Sequence, residues 1–113
     1  MGYTADYAET EPTRAEIDTI AGPLVVEFGA PWCPHCHVVQ PTLQDLFNQF
    51  PEVRHIKIYD GSGQPLGRSF RVKLWPNLVF MEAGTVRLQI ARPGREEILD
   101  GFLAIARPDS DQE

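Results

Sequence analysis

Two cysteines, two histidines, a tryptophan and three prolines crowd Gly29–Pro41, "GAPWCPHCHVVQP". Cys33 and Cys36 are the only cysteines in the chain. Their spacing admits three chemistries. A reactive dithiol would cycle between thiol and disulfide. With His37 the same letters spell the C-x-x-C-H of covalent haem attachment, for which Met81 is the available axial ligand. Cys33, His35, Cys36 and His37 together also offer metal donors, although neighbouring residues would have to chelate through one tight turn. A bridge closing so small a ring adds only about 2 kcal/mol in the chain-entropy model, so the pair reads as chemical rather than structural.

The elements around the pair follow from periodicity. Pro12 and Thr13-Arg14-Ala15-Glu16 form a capping-box start for a short helix near 12–20. "PLVVEF" (23–28) is a continuous apolar run, as in a central strand buried on both faces, interrupted by Glu27. Val39, Leu43, Leu46, Phe47 and Phe50 make one stripe on a helix over 34–50, which Pro41 should kink. "VRHIKIY" (53–59) is a second strand, and a helical turn follows near 65–70. Residues 77–82 and the alternating Val86, Leu88 and Ile90 read as a hairpin about Ala83-Gly84. Ile98, Leu99, Phe102, Leu103 and Ile105 give a last helix, in which Gly101 costs about 1 kcal/mol relative to Ala. A further strand fits near 3–8. The predicted class is α/β: a mixed sheet of four to five strands with helices on both faces.

At 113 residues the chain is one domain, with 1–11 and 108–113 expected to fray. A net charge of −6 argues against nucleic acid and anionic membrane surfaces as partners. No apolar run approaches the roughly 20 residues of a membrane span. The acidic N-terminus lacks the basic and apolar regions of a secretory signal, so a cytoplasmic location is expected, or a periplasmic one if a leader has been removed.

A dithiol that follows a central strand and opens a helix has a mechanism available. The first turn has unpaired amides and the positive end of the helix dipole, which stabilise a thiolate there. Cys33 at the tip would be exposed and attack; Cys36, one turn on and more shielded, would resolve.

With these residues in view the sequence resembles the thioredoxin family. "VVEFGAPWCPHC" is similar to the family's strand and Trp-Cys-x-x-Cys. Pro41 lies where the family kinks its helix, and "LWPNLVF" resembles the segment carrying its cis-proline, here Pro76. Gly84 and Gly94 match family glycines, and the likeness covers roughly 12–107.

The resemblance implies a thioredoxin fold and a thiol–disulfide oxidoreductase. Its substrates would be protein or peptide disulfides, and its electron donor a reductase or glutathione. No cofactor beyond the dithiol, no metal and a monomeric state are implied. Trp32, Trp75 and Pro76 would line the substrate groove, with the Trp75 backbone pairing to an extended peptide. Glu27 aligns with the family's buried acid and would exchange a proton with Cys36. Pro34 and His35 replace the family's usual Gly-Pro; His35 donating towards the Cys33 thiolate would make the couple more oxidising. Gly29 stands where the family carries Trp, and Trp75 is bulkier than the usual residue there. His37 reads as a solvated bystander, His55 as a satisfied sheet residue, and Lys57 as a partner for Glu27. The alternative is an adaptor module of the same fold with a non-catalytic dithiol.

Overall fold

The computed structural model of the chain describes residues 2–108. Helix α1 (Arg14–Asp18) starts where Thr13 caps it. The Thr13 hydroxyl accepts the Glu16 amide at 3.1 Å, and the Glu16 carboxylate accepts the Thr13 amide at 2.9 Å. Strand β1 (Pro23–Gly29) is buried from Leu24 onward, so it must be central. It pairs in parallel with β2 (Arg54–Tyr59) and antiparallel with β3 (Asn77–Glu82), which pairs antiparallel with β4 (Thr85–Ala91). The order is β2-β1-β3-β4, a mixed sheet. This is the thioredoxin fold the sequence implied.

Alternation along the strands sorts the core into two layers. Val25, Leu78 and Phe80 pack against α3 (Gln40–Gln49) and α5 (Arg95–Ile105) through Leu43, Leu46, Phe47, Ile98 and Phe102. Leu24, Val26, Phe28, Val79 and Met81 face Ile17 of α1 and Leu66 of α4 (Pro65–Ser69). Glu27 shares a face with Val25, so its carboxylate enters the α3 side of the core.

Three expectations are corrected. The helix over 34–50 is two helices, α2 (Pro34–Val38) and α3, broken at Val39. Pro41 has no amide for the His37 carbonyl, and the chain resumes with Leu43 N–H to Val39 O at 2.9 Å. No strand forms over 3–8; Gly2 makes only an isolated bridge with Arg54. Nor are residues 2–11 frayed. Thr4 N–H donates to His55 Nδ1 at 2.9 Å, Ala8 N–H to the Lys57 carbonyl at 2.8 Å, and Lys57 Nζ to the Ala5 carbonyl at 3.2 Å. The segment is held by side chains as much as by main chain, so it lies along β2 without a ladder. The tail at 109–113 falls outside the described residues.

In the hairpin, Ala83 (φ 49°) and Gly84 (φ 82°) both take positive φ, the turn that matches strand twist. The register shifts between Phe80 and Met81, which leaves Val86 exposed and breaks its alternation with Leu88 and Ile90.

Gly101 has a packing reason that helix propensity missed. A Cβ there would lie 2.3 Å from the Phe80 ring, so α5 approaches β3 only because the side chain is absent. Gly101→Ala is therefore expected to destabilise by about 1–3 kcal/mol, against the gain alanine brings to an open helix. A fall in the urea midpoint at unchanged slope checks this; an unchanged or higher midpoint contradicts it.

Candidate active site: the dithiol

Cys33 is the N-cap of α2, with extended backbone (φ −83°, ψ 114°) and Pro34 next, where a missing amide costs nothing. Its Sγ accepts the Cys36 amide at 3.3 Å, and its own amide donates to the Ala30 carbonyl at 3.1 Å. An amide aimed at a sulfur is a ready partner for a thiolate. The turn before the helix is tied from behind, because His37 Nε2–H donates to the Pro31 carbonyl at 2.6 Å. His37 is thus not a bystander but a clasp on the Pro31–Cys33 turn.

Both cysteines are free thiols, and they form a small cluster with Ala30 against which Trp75 packs. Cys33 keeps 7% of its surface accessible and Cys36 only 1%. Cys33 is the more reachable, but far less exposed than its helix-tip position suggested, because the Trp75 side covers it. Burial pushes the Cys36 thiol up to about 12, helped by its hydrogen bond with Cys33 and the negative charge of Cys33 and Glu27. Cys36 therefore holds its proton at neutral pH.

The Trp75–Pro76 peptide bond is cis. Trp75 Nε1–H donates to Asp60 Oδ2 at 2.9 Å, and the Trp75 carbonyl accepts Arg92 Nε–H at 2.9 Å. The Arg92 amide in turn donates to the Pro76 carbonyl at 2.7 Å. One lone pair of the carbonyl implied to meet substrate is thus already taken within the chain. Trp32 is 65% exposed and stands edge-on to Tyr59 at 5.3 Å, so its aromatic neighbour is Tyr59 rather than Trp75.

Behind the dithiol, Glu27 is fully buried in a network whose donors can be assigned. The Thr4 amide can only donate, so His55 Nδ1 accepts it and Nε2 carries the ring proton. That proton goes to Glu27 Oε1 at 2.8 Å. Gln40 Nε2 donates to Glu27 Oε2 at 2.8 Å and to the Cys36 carbonyl at 2.7 Å. Gln40 Oε1 accepts from Tyr3 Oη at 2.6 Å and Lys57 Nζ at 3.2 Å. Glu27 therefore meets His55 directly and Lys57 only through Gln40, which corrects the expected Glu27–Lys57 pair. The Glu27 carboxylate makes no hydrogen bond to the Cys36 thiol; their link is its charge and the Gln40 bridge.

A family model described as Thioredoxin matches residues 7–104. The chain belongs to the thioredoxin family. The structure is similar to that of thioredoxin 2 from Pseudomonas aeruginosa in its reduced form: 44% identity, TM-score 0.76, covering 90% of this chain and 97% of that one. It is 29% identical to thioredoxin H5 of Arabidopsis thaliana over 75 residues, 66% of this chain and 64% of that protein. Mitochondrial thioredoxin 3 from Saccharomyces cerevisiae shares the fold at 23% identity and TM-score 0.73, over 80% of this chain and 85% of that one. The match thus spans just under two thirds of the Arabidopsis relative's length.

Within this thioredoxin fold, Cys33 and Cys36 come together with Trp75, while Pro34 opens α2 between the cysteines and Pro76 follows Trp75 through the cis bond; Glu27 lies behind them, linked to Cys36 through Gln40. His35 is exposed on α2 and makes no hydrogen bond or ion pair within the described residues. Met81 is buried among Leu24, Val26 and Phe28 rather than beside the cysteines, and His37 is held by Pro31, so the haem spelling finds no axial pair at the dithiol. Among the described residues no three His, Cys, Asp or Glu side chains converge as metal ligands, and no helix is long and apolar enough to cross a membrane. Sequence reading missed Gln40, Tyr7, Asp60 and Arg92. Only Gln40 carried a signal, being four residues after Cys36 on the same helical face.

Proposed function

We propose that this thioredoxin-family protein is a thiol–disulfide oxidoreductase that reduces disulfides in other proteins. The observation that carries the reading is the asymmetry of the pair: the Cys33 sulfur faces an amide at the helix start, while Cys36 is buried and keeps its proton. Cys33 thiolate attacks one sulfur of the substrate disulfide; a Cys33–substrate bond forms, and the other substrate sulfur leaves as a thiolate and takes a proton. Cys36, deprotonated, then attacks Cys33 Sγ, closing the Cys33–Cys36 bridge and expelling the second substrate thiol. Glu27 takes up the Cys36 proton through water; that its charge accounts for part of the push on that thiol supports the reading. Trp32, Trp75 and Pro76 form the surface against which an extended peptide lies. The protein works as a monomer in the cytoplasm, and a reductase or glutathione returns the electrons.

Cys36→Ser tests this by removing resolution. The variant is expected to accumulate dithiothreitol-releasable adducts of substrate proteins on Cys33, and Cys33→Ser/Cys36→Ser none. A Cys36→Ser variant that holds partner proteins only non-covalently, with no dithiothreitol-releasable adduct, would make the protein an adaptor instead.

A positive charge on exposed His35, two residues after Cys33 at the start of α2, would favour the Cys33 thiolate through space rather than by a hydrogen bond, and so raise the potential. Equilibration with glutathione should place the couple above the approximately −270 mV of a typical thioredoxin. His35→Ala should lower it by about 30 mV, a tenfold change in equilibrium constant for two electrons. A wild-type value at −270 mV, unmoved by His35→Ala, contradicts this role.

A further inference from the structure

The N-terminal segment brings a second group to the resolving cysteine. Gly29 lacks the bulk that the family resemblance implies there, and the space is in use. A Cβ on Gly29 would lie 2.6 Å from Cys36 Sγ and 3.4 Å from the Tyr7 hydroxyl. The phenol oxygen and the resolving sulfur therefore both border the volume of one missing methyl, without a hydrogen bond between them in the reduced protein. Tyr7 is held there from both sides: the Ala5 carbonyl is bonded by Lys57 Nζ, and the Ala8 amide bonds the Lys57 carbonyl. The Lys57 ammonium also stands 4.9 Å from the centre of the Tyr7 ring.

The charged and titratable groups around Tyr7 come from three elements: Glu27 on β1, Cys33 and Cys36 at the start of α2, and Lys57 on β2, with Tyr3 of its own segment. Burial, followed by the charges of Cys36, Glu27, Cys33 and Tyr3, raises the Tyr7 phenol above its ordinary value of 10.0. Tyr7 is thus a donor that keeps its proton throughout the working pH range.

We propose that the Tyr7 hydroxyl donates a hydrogen bond to Cys36 Sγ as that sulfur becomes a thiolate, making residues 2–11 part of the active site and Tyr7 a determinant of the resolving step. The proposal rests on the dithiol mechanism above. In that step the Cys36 thiolate forms the bond to Cys33 Sγ, the bond from Cys33 to the substrate sulfur breaks, and its electron pair leaves with the substrate. The proton given up by Cys36 passes through water to Glu27 and from there, by way of solvent, ends on that departing thiolate. Tyr7 transfers nothing. Its O–H adds to the Ala30 backbone hydrogen bond in offsetting the cost of a buried anion beside Glu27.

Stopped-flow reaction of the reduced protein with 5,5′-dithiobis(2-nitrobenzoate) separates the two steps. Attack by Cys33 releases one thionitrobenzoate, and attack by Cys36 on the resulting adduct releases a second. Tyr7→Phe is expected to slow the second phase about tenfold, the effect of losing one hydrogen bond to a charged group, and to leave the first unchanged. Placing 3-fluorotyrosine at position 7, which keeps the shape and strengthens the donor, should accelerate the second phase. Equal slowing of both phases by Tyr7→Phe, or a second phase that neither replacement changes, overturns the proposal. If Tyr7→Phe fails to fold, the fluorotyrosine protein decides alone: a faster second phase supports the proposal, and an unchanged one overturns it. A wild-type protein that releases a single equivalent would instead refute the underlying resolving role of Cys36.

Discussion

Cys33→Ser is expected to reduce catalysis of insulin reduction by dithiothreitol to the uncatalysed rate, a loss of at least about a hundredfold. The serine hydroxyl would still accept the Cys36 amide that now caps on sulfur at 3.3 Å, so α2 and the fold survive. What disappears is the sulfur that faces this amide and attacks the substrate disulfide. Cys36 does not substitute for it. Its sulfur is buried under Ala30 and Trp75, and its thiol is pushed up to about 12. The far end of the mechanism is thus closed to external disulfides by the same burial that makes Cys36 a resolving thiol. Equal turbidity rates for variant and wild type would contradict the assignment.

The second large effect is on stability. Glu27→Ala is expected to lower unfolding free energy by about 3–5 kcal/mol, the range for removing one partner of a buried charged cluster. The loss leaves His55 Nε2–H and one Gln40 N–H facing a cavity, and strips the Lys57 ammonium, linked through Gln40, of its buried counter-charge. Glu27→Gln retains the volume and loses less, about 1–3 kcal/mol. One amide oxygen still accepts from His55, but the amide nitrogen then meets the Gln40 nitrogen donor to donor. Urea unfolding of both variants measures this. An alanine variant no less stable than the glutamine variant would show that the network is not what holds Glu27.

Much of this site was legible before any coordinates. The strand, the capped short helix and the hairpin are local patterns, and Cys33-Pro34-His35-Cys36 after an apolar run places a dithiol at a helix start. Contacts that depend on distant segments were not legible. His55 looked like a filler of β2, yet the parallel register sets it across from Val25, whose face it shares with Glu27. The acidic N-terminus read as solvated because polarity was weighed without its partners on β2. Its Tyr3 and Tyr7 turn out to reach Gln40 and the edge of the dithiol. The break at Val39 was half seen: Pro41 announced a disturbance, but periodicity carried the helix straight through it. Gly101 shows the same limit, since its cost in a helix is local and the Phe80 ring it admits lies on another element.

The central claim is that Cys33 and Cys36 act as one redox unit. Equilibrating the protein across a series of glutathione ratios, trapping by alkylation and weighing the intact chain tests it most directly. The account predicts two species throughout, one with both thiols alkylated and one with neither, the latter two hydrogens lighter than the free dithiol and carrying a Cys33–Cys36 bridge. A glutathione adduct on Cys33 that persists beside a free Cys36 at every ratio would contradict it.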